Sequence, residues 1–470
     1  MGPAPRSWWL EEALAREPDA TSVDVLEGRL RADVCVVGGG YTGLWTALRL
    51  RELDPSLDVV VVEGGLCGEG ASGRNGGFAL SWWPKIETLI KRVGRAEAFE
   101  LARASEEVIA DIGAFCEREG IDAQFHAGGW AWTATSPAQL DAWRGAVATC
   151  EAGGARPFEA WSAQEARERL GSPVHLGAVY ERGAATVQPA LLARGLRAAA
   201  LRHGVRVLER SPMRSLDAGR AVVRGDRGEV AAQAVVLATN AWSAQAHGLR
   251  TAIVPLSSDV VATEPIPEVL GRIGWTGGEA ISNSRLMVDY YRTTRDGRIV
   301  FGRGGGGLAF RGRFGTSFDW SAARTRDVTA ALHRLVPAAR DARITHAWGG
   351  AVDRSHDGLP FLGRLRGGSP VFYCAGFSGN GVAPSALCAR VLASLALERD
   401  DEWSRCALAR GVPGRFPPEP ARYVGGRLVR AAVQRKEALE DDGRHADPVT
   451  RHVAALAPSG FFKVTPDGSH

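Results

Sequence analysis

Residues 32–63 read ADVCVVGGGYTGLWTALRLRELDPSLDVVVVE, and the fold class follows from them. Ala32 to Val37 is a short apolar, β-branched run of the kind that forms a strand buried on both faces. Gly38, Gly40 and Gly43 follow at once in GxGxxG spacing. Leu44 to Leu53 then carries apolar residues at helical intervals, and Asp54-Pro55 stops the helix. A second apolar strand, Val59 to Val62, ends in Glu63. Short connections make this a parallel, right-handed βαβ unit, so the class is α/β. Each glycine has a physical task. Gly38 permits the tight turn, Gly40 lets the backbone approach a pyrophosphate, and Gly43 lets the helix pack close to the sheet. The N–H groups at the helix start then face phosphate. Glu63 stands where a carboxylate accepts hydrogen bonds from an adenosine ribose, which favours FAD or NAD over NADP.

The loop after the second strand, Gly68-Glu-Gly-Ala-Ser-Gly-Arg-Asn-Gly-Gly-Phe78, favours FAD. Its small residues let the chain run along an extended cofactor, with Ser72, Arg74 and Asn75 offering hydrogen bonds. Farther out, Ser7 to Ala15 reads as an amphipathic helix, and 86–120 and 137–170 read as helical. A β-rich region spans about 250–310, with Gly304 to Gly307 as a flexible turn. A third strand reaches Asn240. A fourth, Val371 to Ala375, runs into Gly376-Phe-Ser-Gly-Asn-Gly381, and a helix covers Ala386 to Glu398. A charged helix near Val429 to Asp441 packs on the body.

Composition excludes several classes. The 57 basic residues, nearly all Arg, are spread along the chain and matched by 53 acidic ones, so no basic stripe points to nucleic acid. Seven scattered cysteines form neither a zinc pattern nor a disulfide framework, so no metal is expected and a reducing cytoplasm is. Met1 to Asp19 lacks the blocks of a signal peptide, and no apolar run is long enough to span a membrane.

The chain resembles the D-amino-acid oxidase-type FAD-dependent oxidoreductases, which include glycine and sarcosine oxidases and γ-glutamylputrescine oxidase. The likeness rests on Gly38 to Gly43, Glu63, Gly70 to Gly77, Leu237-Ala-Thr-Asn-Ala-Trp242, Asp357-Gly-Leu-Pro-Phe-Leu-Gly363 and Ala375 to Gly381, in the family's order. Ser81-Trp-Trp-Pro-Lys85, Asp289-Tyr-Tyr-Arg-Thr-Thr294, Thr345-His-Ala-Trp348 and Arg415-Phe-Pro-Pro-Glu419 make it more similar to an aminophosphonate oxidoreductase subgroup.

The resemblance implies an α/β, overall α+β, architecture. A Rossmann-like FAD-binding domain is assembled from 32–85, 175–245 and 345–398. A substrate domain with a large antiparallel sheet comprises 86–174 and 246–344. An N-terminal helix and arm (1–31) and a tail with a packing helix (399–470) complete it. FAD would be held by Gly38, Gly40, Tyr41, Thr42, Gly43, Glu63, Gly70, Ala71, Ser72, Arg74, Asn75, Gly76, Gly77, Met213, Thr239, Asn240, Trp242, Gly379, Asn380, Gly381 and Val382. The implied reaction oxidises the C–N bond of a small anionic primary or secondary amine, aminophosphonate- or amino-acid-like. Hydride passes to flavin N5 and the imine hydrolyses.

Expected catalytic residues are His346, Tyr290 and Lys85, and expected substrate contacts are Trp82, Trp83, Lys85, Tyr291 and Trp348. Alternation lets only one of Tyr290 and Tyr291 face the flavin. Three departures stand out. No lysine lies between Lys91 and Lys436, so the lysine that promotes oxygen reaction in sarcosine oxidases is missing, and oxygen or another acceptor stays open. Val352 occupies the place of the glycine-oxidase carboxylate arginine, with Arg354 two residues on. No Cys in 330–373 or His in 64–80 offers a covalent link, so FAD is expected to be non-covalent. Oxidation of a 2-hydroxyacid C–OH bond, or a non-catalytic electron relay, are the other readings. The oligomeric state stays open.

Overall fold

The computed structural model describes residues 6–17, 22–246, 248–365 and 368–458; the outer ends of the expected arm and tail lie outside them. The opening strand, Gly28–Val37, pairs in parallel with Val59–Val62 on one side and Gly228–Leu237 on the other. The sheet runs in the order Phe361–Arg364, Val371–Ala375, Gly228–Leu237, Gly28–Val37, Val59–Val62, Arg206–Leu208, and a hairpin (Ser215–Asp217, Val222–Arg224) joins Gly228–Leu237. The four valines at 59–62 are apolar without alternation because both faces are covered. Val59 and Val61 join the core with Val34, Val36 and Leu44. Val60 and Val62 join Cys35, Val37, Val235 and Leu237 beneath the hairpin. Helices Tyr41–Leu53, Pro189–Arg202 and Val382–Ala396 bury their apolar sides in the first of these cores.

A second eight-stranded sheet has the order Ile344–Arg354, Val254–Thr263, Ile299–Arg303, Asp289–Thr293, Ala280–Asn283, Trp130–Ala134, Gly177–Glu181, Phe158–Trp161. Its pairs are antiparallel except Ala280–Asn283 with Trp130–Ala134. Helices Ala163–Leu170 and Ala322–Leu335 cover one face. The other face turns toward the first sheet.

The expected division of the chain shifts in three places. Gly177–Glu181 and Ile344–Arg354 are strands of the second sheet, because the chain crosses between sheets inside those segments. The helix Arg95–Glu119, expected with the substrate domain, buries Phe99, Val108 and Ile112 in the first sheet's core. The stretch 137–170 is helical only in part, since Phe158–Trp161 interrupts it as a strand. Among the described residues no helix is long and apolar enough to cross a membrane, and no cluster of His, Cys, Asp or Glu is arranged for a metal ion.

Candidate active site

One cavity of about 1600 Å³ runs from the end of the opening strand to the second sheet. At its first end lie Gly38, Gly40, Tyr41, Thr42 and Glu63. Gly38 has φ +113°, and a Cβ there would stand 2.5 Å from the Ala238 carbonyl oxygen. A Cβ on Gly43 would stand 1.9 Å from the Gly38 carbonyl oxygen, so Gly43 sets the closeness of helix to strand and does not itself line the cavity. Gly40 is the N-cap of the helix and provides no side-chain cap. The Tyr41 N–H donates to Ser72 Oγ at 2.9 Å, and the rest of the first turn presents its N–H groups without intrahelical partners. Glu63 accepts from the Gly39 N–H at 2.6 Å and the Gly65 N–H at 2.8 Å. Burial holds its carboxyl above the usual carboxylate range, and these bonds offset only part of that rise. A carboxylate has about four acceptor positions, so two remain for a diol.

The loop 70–77 forms the next part of the wall through Gly70, Ala71, Ser72, Arg74, Asn75 and Gly76. Asn75 folds it: Nδ2 donates to the Ala71 and Ser72 carbonyls at 3.0 and 3.1 Å, and Oδ1 accepts from the Gly77 N–H at 2.7 Å. Arg74 ties it to the second sheet, Nη1 donating to the Gly349 carbonyl at 3.0 Å. Gly77, at φ +78°, is a packing residue, since a Cβ would meet the Val187 carbonyl oxygen at 2.1 Å. The N-terminal helix Trp8–Ala15 underlies this loop: Trp9 Nε1 donates to the Asn75 carbonyl at 3.0 Å, and Ser7 Oγ to that of Gly73. Sequence reasoning found that helix but not its task, which no local pattern signals. Met213, Thr239, Asn240 and Trp242 line the same end, and the buried Oδ1 of Asn240 has no protein partner.

A second helix N-terminus closes the cavity. Gly379, Asn380, Gly381 and Val382 line it where helix Val382–Ala396 begins, capped by Gly381 without a side-chain bond. Asn380 donates from Nδ2 to the Ser81 carbonyl at 3.2 Å, while its Oδ1 has no protein partner. Asp353 holds the turn before this helix, accepting from the Gly376 N–H at 2.6 Å and the Ser378 N–H at 3.2 Å. Burial lifts its carboxyl to about 6 against those bonds. The donors, glycine approaches and free carbonyl oxygens fit a flavin dinucleotide: diphosphate at the first helix, ribose at Glu63, ring edge at the second helix.

At the sheet end, Tyr290 faces the cavity. A Cβ on Gly302 would come within 2.1 Å of its ring and one on Gly76 within 2.9 Å, so two glycines make room for it. Its hydroxyl meets Ser258 Oγ at 2.9 Å. Burial raises the phenol to about 12, so it is neutral near pH 7 and serves as a hydrogen-bonding group, not a base. Leu80, Leu286, Val288, Phe314 and Phe318 supply apolar wall, and Ser282 and Arg354 polar wall.

Six expected site residues lie elsewhere. Tyr291, on the opposite face of its strand, stacks on Phe301 at 5.2 Å and meets His175 at 3.3 Å in the far core. Trp82 and Trp83 are 1% and 2% exposed and pack toward the Arg95–Glu119 helix, where Trp83 Nε1 donates to Glu106 at 2.6 Å. Trp348 is buried and donates from Nε1 to the Arg74 carbonyl at 2.9 Å, so it supports the cofactor loop. His346 packs on Trp8 of the N-terminal helix, with Nδ1 against Thr345 Oγ1 at 2.9 Å and Nε2 3.9 Å from Glu11, and does not itself line the cavity. Lys85 also misses the wall. It is buried behind it beside Arg354 and Asp357, and burial first, then Arg354, pushes its amine down to about 7. Arg354, two residues beyond the empty carboxylate-arginine position, lines the cavity, as Arg74 does from the loop.

Comparison with known proteins agrees with this arrangement. The family described as "DAO: FAD dependent oxidoreductase" matches residues 33–395. The chain is 31% identical over 376 residues to gamma-glutamylputrescine oxidoreductase of Escherichia coli K12, covering 79% of this chain and 85% of that one. It is 29% identical over 413 residues to the "Probable oxidoreductase OrdL" of Haemophilus influenzae, covering 85% and 88%. The crystal structure of glycine oxidase from Geobacillus kaustophilus superposes with a TM-score of 0.67 at 23% identity, over 82% of this chain and all of that one, 100%.

Proposed function

The chain belongs to the DAO family of FAD-dependent oxidoreductases, and on that footing we propose that it oxidises the C–N bond of a small anionic amine, aminophosphonate- or amino-acid-like. The observation that carries the reading is the shared cavity: a dinucleotide cradle at one end and, along the same space, the Tyr290–Ser258 hydroxyl pair and the Arg354 guanidinium. Bound in that cradle, FAD supplies a two-electron acceptor for the C–H bond beside the amine nitrogen.

The chain's own groups do the rest. Arg354 meets the substrate's phosphonate or carboxylate, and Lys85 behind it adds positive charge when protonated. Leu286, Val288, Phe314 and Phe318 exclude water, which disfavours the ammonium form and leaves the amine neutral. The Tyr290 hydroxyl orients that amine. The N–H groups at the start of Val382–Ala396 lie where negative charge at the ring's edge is stabilised. FAD is held without a covalent bond, since among the described residues no Cys or His lines the cavity. Seven unpaired cysteines accord with a cytoplasmic location. Relatives named for a glycine and a γ-glutamylputrescine substrate support a C–N rather than a C–OH bond.

The test compares Arg354→Met with the parent enzyme on amines with and without an anionic group. The Michaelis constant of the anionic amines should rise about 10–100-fold, the range for losing a charged contact, while neutral amines change little. Equal changes for both classes would remove the anion contact from the account.

A further inference from the structure

The substrate-side wall is held in place from outside the two sheets. Leu286, Val288, Gly304 and Gly305 line the cavity from two adjoining loops, one before strand Asp289–Thr293 and one after Ile299–Arg303. The loops are joined by the Gly304 N–H donating to the Val288 carbonyl at 3.0 Å. Their outer anchors come from the helix Ala421–Asp441, which lies beyond the residues matched by the family.

Glu437 is the main anchor. It is 5% exposed, and its Oε1 accepts from the Leu286 N–H at 2.7 Å and the Met287 N–H at 3.1 Å. Its Oε2 accepts from Arg285 Nε at 3.2 Å, and Arg285 also pairs with Asp441 one helical turn on. The side chain between those amides, Met287, packs on Val433 and Ala454. Arg430, on the same helix, donates from Nε to the Gly305 carbonyl at 2.7 Å. Gly426 lets the helix come close: a Cβ there would stand 2.9 Å from Leu308. A loop backbone would otherwise give these N–H and C=O groups to water and move with it. Here a carboxylate and a guanidinium take them, and the tail helix thereby dictates how far Leu286 and Val288 project into the cavity.

We propose that the C-terminal helix is the specificity-determining brace of the substrate wall, with Glu437 and Arg430 as positioning residues acting through the Leu286–Met287 and Gly305 backbones. The proposal rests on reading the sheet end of the cavity as the amine site. It implies that the amine's size is read partly by a segment outside the catalytic fold.

The test uses the full-length, FAD-loaded enzyme carrying Glu437→Gln or, as the milder change, Arg430→Met. Flavin content and visible spectrum should match the parent, since neither residue touches the nucleotide end. Amide hydrogen exchange should quicken by about ten-fold or more at residues 285–288 in Glu437→Gln, the scale of losing one charge-assisted bond. Across a series of amines of increasing bulk, the Michaelis constant for the smallest should rise more than kcat falls, and the preference should shift toward bulkier members. Glu437→Asp, which keeps the charge, should fall between. Unchanged exchange at 285–288 in Glu437→Gln would overturn the brace, whatever the substrate. Quicker exchange with an unmoved amine preference would overturn its part in specificity. If the parent enzyme itself is not reduced by any amine, the amine reading fails instead, and the exchange result still decides whether the helix holds the wall.

Discussion

Glu63 and Lys85 show how much one residue's surroundings decide. Glu63 divides its carboxylate between two loop N–H groups and the cavity. Glu63→Ala should weaken FAD binding about 10–100-fold, the worth of two hydrogen bonds to a charged group. Fluorescence titration of the apoprotein with FAD checks this, and an unchanged dissociation constant would remove the ribose role. Lys85 loses its proton near pH 7 because burial and Arg354 both disfavour the charge. The cation behind the proposed anion site is therefore present below that pH and lost above it. The Michaelis constant of an anionic amine should rise about 3–10-fold as pH climbs from 6 to 8. Lys85→Met should flatten that rise, and a variant that keeps the full pH dependence would clear Lys85 of the effect.

At the scale of elements, the strand–helix junction is the proposed seat of the nucleotide. Gly43→Ala forces a Cβ against the Gly38 carbonyl, which no rotamer change relieves. We expect about 2–4 kcal/mol of destabilisation with loss of FAD retention, as overpacking against backbone typically gives. Thermal denaturation with flavin release as the signal measures both, and a stable holoenzyme would mean the helix can shift outward. The second sheet obeys a simple period: Tyr290 and Tyr291 sit side by side in sequence and on opposite faces, one in the cavity and one in the core. The alternation was readable; which face meets the cavity was not, because helices from 163–170 and 322–335 decide it.

Across the whole molecule, the nucleotide half was legible because its signals are local backbone requirements. Gly38, Gly40 and Glu63 act through a turn and a strand end that 32 consecutive residues define. The substrate half is assembled from distant segments, and residue type there misleads. Trp82, Trp348 and His346 are reactive or aromatic in character, yet packing against 95–119, the cofactor loop and the N-terminal helix claims them. Arg354 and the tail's Glu437 matter through neighbours no spacing rule supplies.

The same burial leaves a pH signature on stability. Glu181, buried at the end of strand Gly177–Glu181, has its carboxyl raised from 4.5 to about 8 by burial, only partly offset by Ser81. A raised folded value means its contribution is complete below pH 4.5 and is lost as pH rises toward 8. Glu181→Gln should therefore lose less melting temperature between pH 5 and 8 than the parent, by several degrees; parallel curves would show that Glu181 does not titrate there.

The most direct test is anaerobic titration of the purified, FAD-reconstituted protein with a short aminophosphonate, a short amino acid and the matching hydroxyacids. The flavin's visible absorbance should be bleached by an anionic amine and persist with every hydroxyacid. A protein that retains no FAD, or one bleached by hydroxyacids and by no amine, would contradict the account.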